Sequence, residues 1–304
     1  MGECRNCGRS DLQDLGPIGR VAPFFLKRVL GMEIRSARSA SPLKQAIRDA
    51  AAALTSVLSR LSRQFAYTEM QICSHCSFIQ TSVPFHDDDI MRLYRDYRSP
   101  SYNQERVHYE PTYAAIAAAV GQDEAEIQTR TTALNAFLRR ALPESDLISI
   151  LDYGGSDGKF MPALPASKFV YEVSNIEPIE GVVRVSAESD LGTYSLVLAA
   201  HIVEHVPHPL GLIRKLRTYV APGGFLYIEV PQEISDGDRE GLQKGTLRMD
   251  VGIHEHINYC SVLSISSLLE SAGFELVEVE STPVDIAWTK GVHIRALGRR
   301  KSAD

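Results

Sequence analysis

The sequence predicts an α/β protein in which a mostly parallel, doubly wound sheet follows a small cysteine-containing module and a helical connector. Three observations predict this order. Two C-x-x-C pairs lie in the first quarter of the chain, residues 87–142 have a helical pattern, and apolar strands alternate with helical stretches from residue 143 onward. Such alternation predicts a parallel sheet with both faces covered. We therefore expect three parts, 1–86, 87–142 and 143–304.

The composition predicts a globular protein. The chain has 304 residues, of which 44% are hydrophobic and 23% are charged, and this length suits one large domain and a smaller one. No apolar run approaches the roughly 20 residues of a membrane span, and the charged N-terminus has no apolar secretory core. We therefore expect a cytoplasmic location, reduced thiols and no membrane partner.

The net charge of −6 is unevenly distributed. Residues 1–65 contain 11 Lys or Arg and 5 Asp or Glu, so they carry +6 and the remainder carries −12. A basic end can attract an anionic partner, although a solvated basic helix has the same composition. A pI near 5.9 and the lack of aromatic residues interleaved with these basic residues argue against nucleic acid as that partner.

Four of the five cysteines form two C-x-x-C pairs, Cys4 with Cys7 and Cys73 with Cys76. Each pair can place two thiolates on one ion, so together they predict a closed, structural zinc site with four thiolate ligands. Two disulfides are the alternative, which a reducing compartment disfavours. Between the pairs, the apolar spacing after Ser41-Pro42 predicts an inserted helix of about 20 residues. We expect Cys260 to be a packed thiol.

The remaining elements follow in order. Residues 87–142 read as helical and include an Ala-rich run, Tyr113–Val120. The predicted strands are 148–151, 169–173, 196–200, 225–230, 274–279 and 292–296.

The stretch LDYGGSDGKF, residues 151–160, places three glycines directly after an apolar strand. A parallel strand that ends in a glycine turn and leads into a helix is a nucleotide-binding arrangement, because bare backbone can approach a ligand closely. The dinucleotide pattern G-x-G-x-x-G does not fit, since Tyr153 stands in place of its first glycine. The pattern acid-x-G-x-small-x-G fits, on Asp152, Gly154, Ser156 and Gly158.

That spacing resembles the first motif of class I S-adenosylmethionine-dependent methyltransferases. Three further segments resemble the family in the same order, and the resemblance covers about residues 145–300. They are Glu172 at the end of the next strand, Glu204-His205 with Pro209, and the turn before Phe225. The resemblance implies S-adenosylmethionine as cofactor, and a carboxylate such as Glu172 can accept both ribose hydroxyls. The implied cofactor-binding residues are Asp152, Gly154, Gly155, Ser156, Gly158, Glu172, Glu188, His201 and Tyr102.

A zinc module before such a domain resembles bacterial sugar C-methyltransferases, which act on nucleotide-linked keto-sugars. In those enzymes a Tyr-His-Glu-His run supplies the base, and residues 253–256 match it by position. The resemblance implies His256 as general base and Glu255 as its partner, and His205 is a second catalytic candidate. An imidazole titrates near neutral pH and suits proton removal. In the same enzymes a Tyr of the connecting segment covers the cofactor, and Tyr97 or Tyr102 matches it.

Other interpretations stay open at this point. His254 and His256 could bind a metal with Glu204 or His205 as third ligand, because alternate residues of an extended segment share a face. The histidines could also simply donate hydrogen bonds to backbone carbonyls. The predicted function is methyl transfer to a small polar metabolite, with a nucleotide-linked sugar as one candidate. The alternatives are O- or N-methylation of another metabolite, a zinc-ribbon RNA methyltransferase and a non-catalytic binding module; the oligomeric state is not predicted.

Overall fold

The structure is a computed structural model, which describes residues 2–32, 66–119, 121–142, 147–174, 176–286 and 289–301. The helix expected between the cysteine pairs lies outside these residues. Among the described helices, none combines the length and the apolar character that crossing a membrane requires.

The N-terminal part consists of short strands and four consecutive helices. In chain order these elements are β1 (Leu12–Val21), α1 (Pro23–Leu30), β2 (Ala66–Cys73), β3 (Ile79–Thr81), α2 (Asp87–Tyr94), α3 (Pro100–Tyr109), α4 (Tyr113–Ala119) and α5 (Glu124–Ala141). The helices α2 to α5 confirm the helical character predicted for residues 87–142. The longest, α5, is capped by Asp123, whose carboxylate accepts from the Ala125 amide, and it has Arg139 and Arg140 in its last turn.

The remaining elements build the large sheet and its cover. They are β4 (Ser149–Tyr153), β5 (Ser167–Tyr171), β6 (Val182–Val185), β7 (Tyr194–Ala200), α6 (Pro209–Tyr219), β8 (Val220–Pro231), α7 (Asp236–Lys244), β9 (Val251–Ile253), β10 (Asn258–Tyr259), α8 (Val262–Ser271), β11 (Phe274–Ile286) and β12 (Thr289–Arg300). The seven-stranded sheet has the order β11-β12-β8-β7-β4-β5-β6. Its central pairs are parallel, and β12 is antiparallel to both neighbours. The predicted mostly parallel α/β sheet is confirmed. The last two strands are longer than predicted because they pair along their whole length.

The expectation that the glycine turn leads into a helix is wrong. Residues 154–166 connect β4 to β5 through turns and irregular chain. Gly158 has φ of 80°, and Pro162 and Pro165 follow it, so a left-handed residue and two prolines oppose a helix here. This face of the sheet is covered by α5 instead, through the buried Leu134, Phe137 and Leu138.

A second sheet has five strands in the order β10-β3-β2-β1-β9. Its outer strands come from far along the chain. β9 pairs in parallel with β1, with Val21 opposite Ile253, and β10 pairs antiparallel with β3, with Asn258 opposite Gln80. Residues 254–257 are therefore fixed at both ends by a sheet whose other strands belong to the N-terminal part.

The cysteine pairs join the hydrophobic core of the large sheet, whereas the small sheet packs most of its buried apolar residues in a second cluster with α1. The buried Cys4, Cys73, Cys76 and Phe78 pack in one cluster with residues of the large sheet and of α6 and α8. Polar contacts add to this docking, since the Asn6 side-chain amide donates to the Ser264 carbonyl at 2.8 Å. Cys260 is 1% exposed, which confirms it as a packed thiol.

Candidate functional site

The two C-x-x-C pairs meet at one point. Cys4 Sγ lies 3.7 Å from Cys76 Sγ, and Cys7 Sγ lies 3.8 Å from Cys73 Sγ. All four sulfur atoms lie within 4.8 Å of one another, and all four thiols are free. Sulfur atoms about 2.3 Å from a tetrahedral zinc ion lie roughly 3.8 Å apart. The cluster therefore has the donor set and the spacing that a structural zinc ion requires, whereas the disulfide alternative is not formed.

The glycine turn lies at the carboxyl end of β4, between β7 and β5. Chain order in the sheet reverses here, which is the position where open α/β sheets bind ligands. Gly154 is exposed and has φ of 74°, and a Cβ atom there would lie 2.8 Å from Ile202 Cδ1. A Cβ atom on Gly155 would lie 2.2 Å from the carboxylate of Asp152. Side chains at these two positions are thus excluded, and the turn presents backbone.

Two carboxylates brace this turn. Glu172, directly after β5, accepts from the Ser156 amide at 3.1 Å and from the Ser174 amide at 3.0 Å. Asp152 lies beneath the turn, is 4% exposed, and has a pKa that burial raises to about 7. Because an ionised carboxylate has about four acceptor positions, Glu172 can still accept hydrogen bonds from a ligand.

Two other predicted cofactor residues have protein partners. Glu188 accepts from Tyr153 Oη at 2.6 Å and pairs with Lys215 Nζ at 2.5 Å. Tyr102 is fully buried and donates to Glu255 Oε1 at 3.1 Å. Their contact with a cofactor stays a prediction.

The second feature is a centre formed by Glu204, His205 and His256, which we call the His–Glu centre. One nitrogen or oxygen atom of each residue lies within 4.8 Å of those of the other two. The rings of His205 and His256 have centroids 4.7 Å apart, and His205 Nε2 lies 3.9 Å from Glu204 Oε1. The sequence motifs Glu204-His205 and His254–His256 are thus brought together, although about 50 residues separate them.

The expected pairing of Glu255 with His256 is wrong. Glu255 pairs with Arg106 and accepts from Tyr102, whereas His256 Nδ1 lies 2.9 Å from Glu233 Oε2. The two neighbouring side chains diverge because consecutive residues of an extended segment face opposite sides. Sequence reasoning missed Glu233, because its place shortly after β8 carries no motif.

His254 lies outside the centre. Its side chain is 51% exposed, and its Nδ1 atom lies 3.4 Å from Glu110 Oε2. The metal alternative built on His254 with His256 is therefore not supported by the structure, whereas its proposed third ligands, Glu204 and His205, do face His256.

The charges in the His–Glu centre are unequal. Burial lowers the pKa of His205, so this imidazole is neutral at neutral pH. Burial alone would also lower the pKa of His256, but the Glu233 carboxylate raises it to about 9. Burial opposes ionisation of Glu204, yet the neighbouring His201 brings its pKa to about 2. The centre thus holds a neutral and a charged imidazole beside a carboxylate.

His201 joins the centre to a second buried group. It follows β7 with φ of 55°, and its two nitrogens lie 3.2 Å from Glu204 Oε1 and 3.1 Å from Glu229 Oε1. Glu229 also contacts His293 and Arg295. Gly154 packs on Ile202, next to His201, so the glycine turn and the His–Glu centre are adjacent.

Comparison with models of protein families gives a match that covers about half of the chain. A family model described as a methyltransferase domain matches residues 126–279. Among curated proteins, the ubiquinone biosynthesis O-methyltransferase of Burkholderia ambifaria is 23% identical over 117 residues, which cover 38% of this chain. The matched segment spans 46% of that relative, so the similarity concerns about half of its length.

Solved structures with similar folds include two methyltransferases. The 1,6-didemethyltoxoflavin-N1-methyltransferase of Burkholderia thailandensis, with bound S-adenosylhomocysteine, is 15% identical with a TM-score of 0.44, covering 77% of this chain and 96% of its own. The N-methyltransferase NodS of Bradyrhizobium japonicum, in complex with S-adenosylhomocysteine, is 14% identical with a TM-score of 0.42, covering 63% of this chain and 97% of its own.

We predict that Glu233→Gln lowers the pKa of His256 from about 9 toward its ordinary value of 6.5, because it removes the carboxylate that stabilises the imidazolium. NMR titration of the His256 ring, without added metal ions, measures this shift. A group whose pKa is higher in the folded than in the unfolded protein stabilises the fold at pH values below its unfolded pKa. The stabilisation that His256 contributes is therefore lost as the pH rises from about 6.5 through about 9. The variant should not show that loss.

The matched control is Glu240→Gln, which removes an exposed carboxylate paired with Lys244 on α7. It should leave the His256 titration unchanged. A pKa that remains near 9 in Glu233→Gln would show that another group sets the charge of His256.

Proposed function

The chain belongs to the methyltransferase domain family, and we propose that it transfers the methyl group of S-adenosylmethionine to a small polar metabolite held at the His–Glu centre. The observation that carries this proposal is the glycine turn at the point where strand order reverses, with Glu172 at the end of the adjacent strand. The adjoining His–Glu centre supplies groups that can move a proton.

The residues of the turn suit the cofactor. Gly154 and Gly155 cannot carry side chains, so the exposed backbone there can lie against a bound molecule. Glu172 has acceptor positions left for ribose hydroxyls after binding two amides. When bound, S-adenosylmethionine supplies an electrophilic methyl group on a sulfonium.

The His–Glu centre suits the acceptor. A base must be neutral before it accepts a proton, and the lowered pKa of His205 favours it over His256 for that role. Its Nδ1 atom lies 2.7 Å from Tyr94 Oη and 3.3 Å from the Glu255 carbonyl oxygen. Because a carbonyl oxygen only accepts, a hydrogen on Nδ1 satisfies this contact and leaves Nε2 to take the proton. The charged ring of His256 then stabilises the negative charge that develops on the acceptor.

A neutral base beside a fixed positive charge favours a carbon acid next to a carbonyl, because its enolate oxygen needs that charge. This supports C-methylation of a keto-sugar, with a nucleotide-linked sugar as the acceptor class. Methylation of a hydroxyl is the second candidate, since it needs the base alone, and the curated relative is an O-methyltransferase by name.

We also propose that Cys4, Cys7, Cys73 and Cys76 bind one structural zinc ion. The sulfur spacing supports it, and four thiolates leave no open position for a substrate. The zinc site would stabilise the small sheet, whose strands β9 and β10 hold the His256 segment.

We predict that Glu172→Ala weakens S-adenosylmethionine binding by roughly 30- to 100-fold, the cost of losing charge-assisted hydrogen bonds. Isothermal titration calorimetry measures the change. Glu180→Ala, an exposed carboxylate nearby in sequence, is the matched control and should bind as the wild type does. Equal affinity in both variants would contradict the assignment of Glu172 to the ribose.

We predict that His205→Asn lowers kcat by about 100-fold or more, since it removes the proton acceptor, while the affinity for S-adenosylmethionine changes less than about twofold. Release of S-adenosylhomocysteine, screened first with nucleotide-linked keto-sugars and then with hydroxylated metabolites, provides the assay. His208→Asn is the control on the same segment and should retain turnover. Full turnover by His205→Asn would exclude His205 as the base.

We predict that Cys73→Ser with Cys76→Ser lowers the bound zinc by one ion per chain and lowers the melting temperature, because two of the four ligands of the cysteine cluster are lost. Mass spectrometry of bound metal and thermal unfolding measure the two effects. Cys260→Ser, a buried thiol outside the cluster, should keep one zinc ion per chain. Unchanged zinc content in the double variant would contradict the site.

A further inference from the structure

We propose that Glu204, His205 and His256 together bind a divalent transition-metal ion. The ion's remaining coordination positions then take oxygen atoms of the methyl acceptor. The binding of the ion follows from the geometry of the centre alone, and only its role toward the acceptor rests on the proposed function.

The first observation is the state of Glu204. This side chain is 1% exposed, and neither of its carboxylate oxygens has a hydrogen-bond partner. The nearest nitrogen, His201 Nδ1, makes an ion-pair contact with Oε1 at 3.2 Å, outside hydrogen-bond geometry. Buried carboxylate oxygens that accept no hydrogen bond keep acceptor positions open, and these positions can bind a cation.

The second observation is the orientation of the two imidazoles. His256 Nδ1 lies 2.9 Å from Glu233 Oε2, so Nε2 is the nitrogen that can bind the ion, and it releases its proton when it does so. His205 Nδ1 lies 2.7 Å from Tyr94 Oη and 3.3 Å from the Glu255 carbonyl, and its Nε2 atom faces Glu204. Metal-binding histidines commonly have one nitrogen held by a carboxylate or carbonyl while the other binds the ion.

The spacing is close to that of a coordination sphere. The three ligand atoms lie within 4.8 Å of one another, whereas ligand atoms about 2.1 Å from one ion lie roughly 3 to 3.5 Å apart. A contraction of the widest spacing by about 1.3 to 1.8 Å therefore brings them onto an ion. Two imidazoles and one carboxylate suit Zn²⁺, Fe²⁺, Co²⁺ or Mn²⁺, and three ligands leave positions open.

The neighbouring histidine–carboxylate group is a poorer site. Glu229 already accepts from Tyr227 Oη at 2.7 Å and from Arg295 Nε at 2.8 Å, and Arg130 lies 3.5 Å away. Its charge is compensated, and two guanidinium groups repel a cation. Glu204 has no guanidinium within ion-pair distance among the described residues, so the cation belongs at the His–Glu centre.

The ion explains why the catalytic histidines surround a buried acid. Bound to an acceptor oxygen, it supplies the positive charge that we assign to His256 in the ion-free centre. It also lowers the pKa of the acceptor group, so that the proton can pass to water instead of His205. The ion-free centre and the ion-bound centre therefore differ in one respect that can be measured, since only the ion-bound centre responds to a chelator.

The test uses protein that carries zinc at the four-cysteine site and is then titrated with Co²⁺. Calorimetry gives the stoichiometry, and visible absorbance identifies the ligands, since Co²⁺ at thiolates has an intense charge-transfer band that nitrogen and oxygen ligands lack. We expect one Co²⁺ per chain without that band. Glu204→Gln, His205→Asn and His256→Asn should each weaken binding at least tenfold.

The matched control is His254→Asn, in the same segment but outside the centre, and it should bind Co²⁺ within twofold of the wild type. Circular dichroism and the retained zinc ion show that each variant is folded. If zinc-loaded wild-type protein binds no Co²⁺, or if the three variants bind it as tightly as His254→Asn does, the proposal is overturned.

Titration of the same samples with S-adenosylmethionine separates this inference from the proposed function. Cofactor binding with no second ion overturns the inference and leaves the proposed function in place. A second ion with no cofactor binding supports the ion site and contradicts the proposed function.

Discussion

The side chain of Asn258 is the interaction on which the arrangement of the site depends. It is 1% exposed, and its amide donates to the Val203 carbonyl at 2.8 Å and to the Val206 carbonyl at 2.7 Å. Its backbone belongs to β10 and pairs with Gln80 of β3. One residue thus ties the turn that carries Glu204 and His205 to the sheet next to the cysteine cluster. Because buried carbonyls must be satisfied, this tie has few alternatives.

This constraint gives the cysteine cluster a role beyond local stability. The backbone of the first pair contacts the first turn of α6, as the Leu210 amide donates to the Arg5 carbonyl at 3.1 Å. The second pair lies between β2 and β3, and β3 pairs with β10. The cysteines therefore fix the strand that orients His256, although none of them lies near the reacting groups in sequence. The small sheet thus borders the His–Glu centre, where we propose that the acceptor binds.

The proposed site of the methyl donor, S-adenosylmethionine, is formed by backbone more than by side chains. Steric exclusion at Gly154 and Gly155 and the bracing by Glu172 define it. No helix follows this turn, so a helix dipole does not contribute there, and the proposed cofactor binding rests on the bare amides and the carboxylate. The acceptor side, by contrast, relies on buried charges whose protonation is set by neighbours such as Glu233.

The sequence by itself determined the α/β class, the order of the motifs along the chain and the residue types of both sites. It could do so because periodicity and motif spacing are local properties. It also predicted the four cysteines in one cluster, since two C-x-x-C pairs favour a single four-thiolate metal site where thiols stay reduced. It failed at the helix after the glycine turn, where Pro162 and Pro165 outweighed the motif.

Only the tertiary structure decided which carboxylate pairs with which histidine. Glu233 and not Glu255 pairs with His256, and Glu204 rather than His254 completes the centre. The physical reason is that such pairings depend on strand partners dozens to hundreds of residues apart, and a shift of one residue in an extended segment turns every side chain to the opposite face. That register is set by β1 and β3, far from the motif it positions.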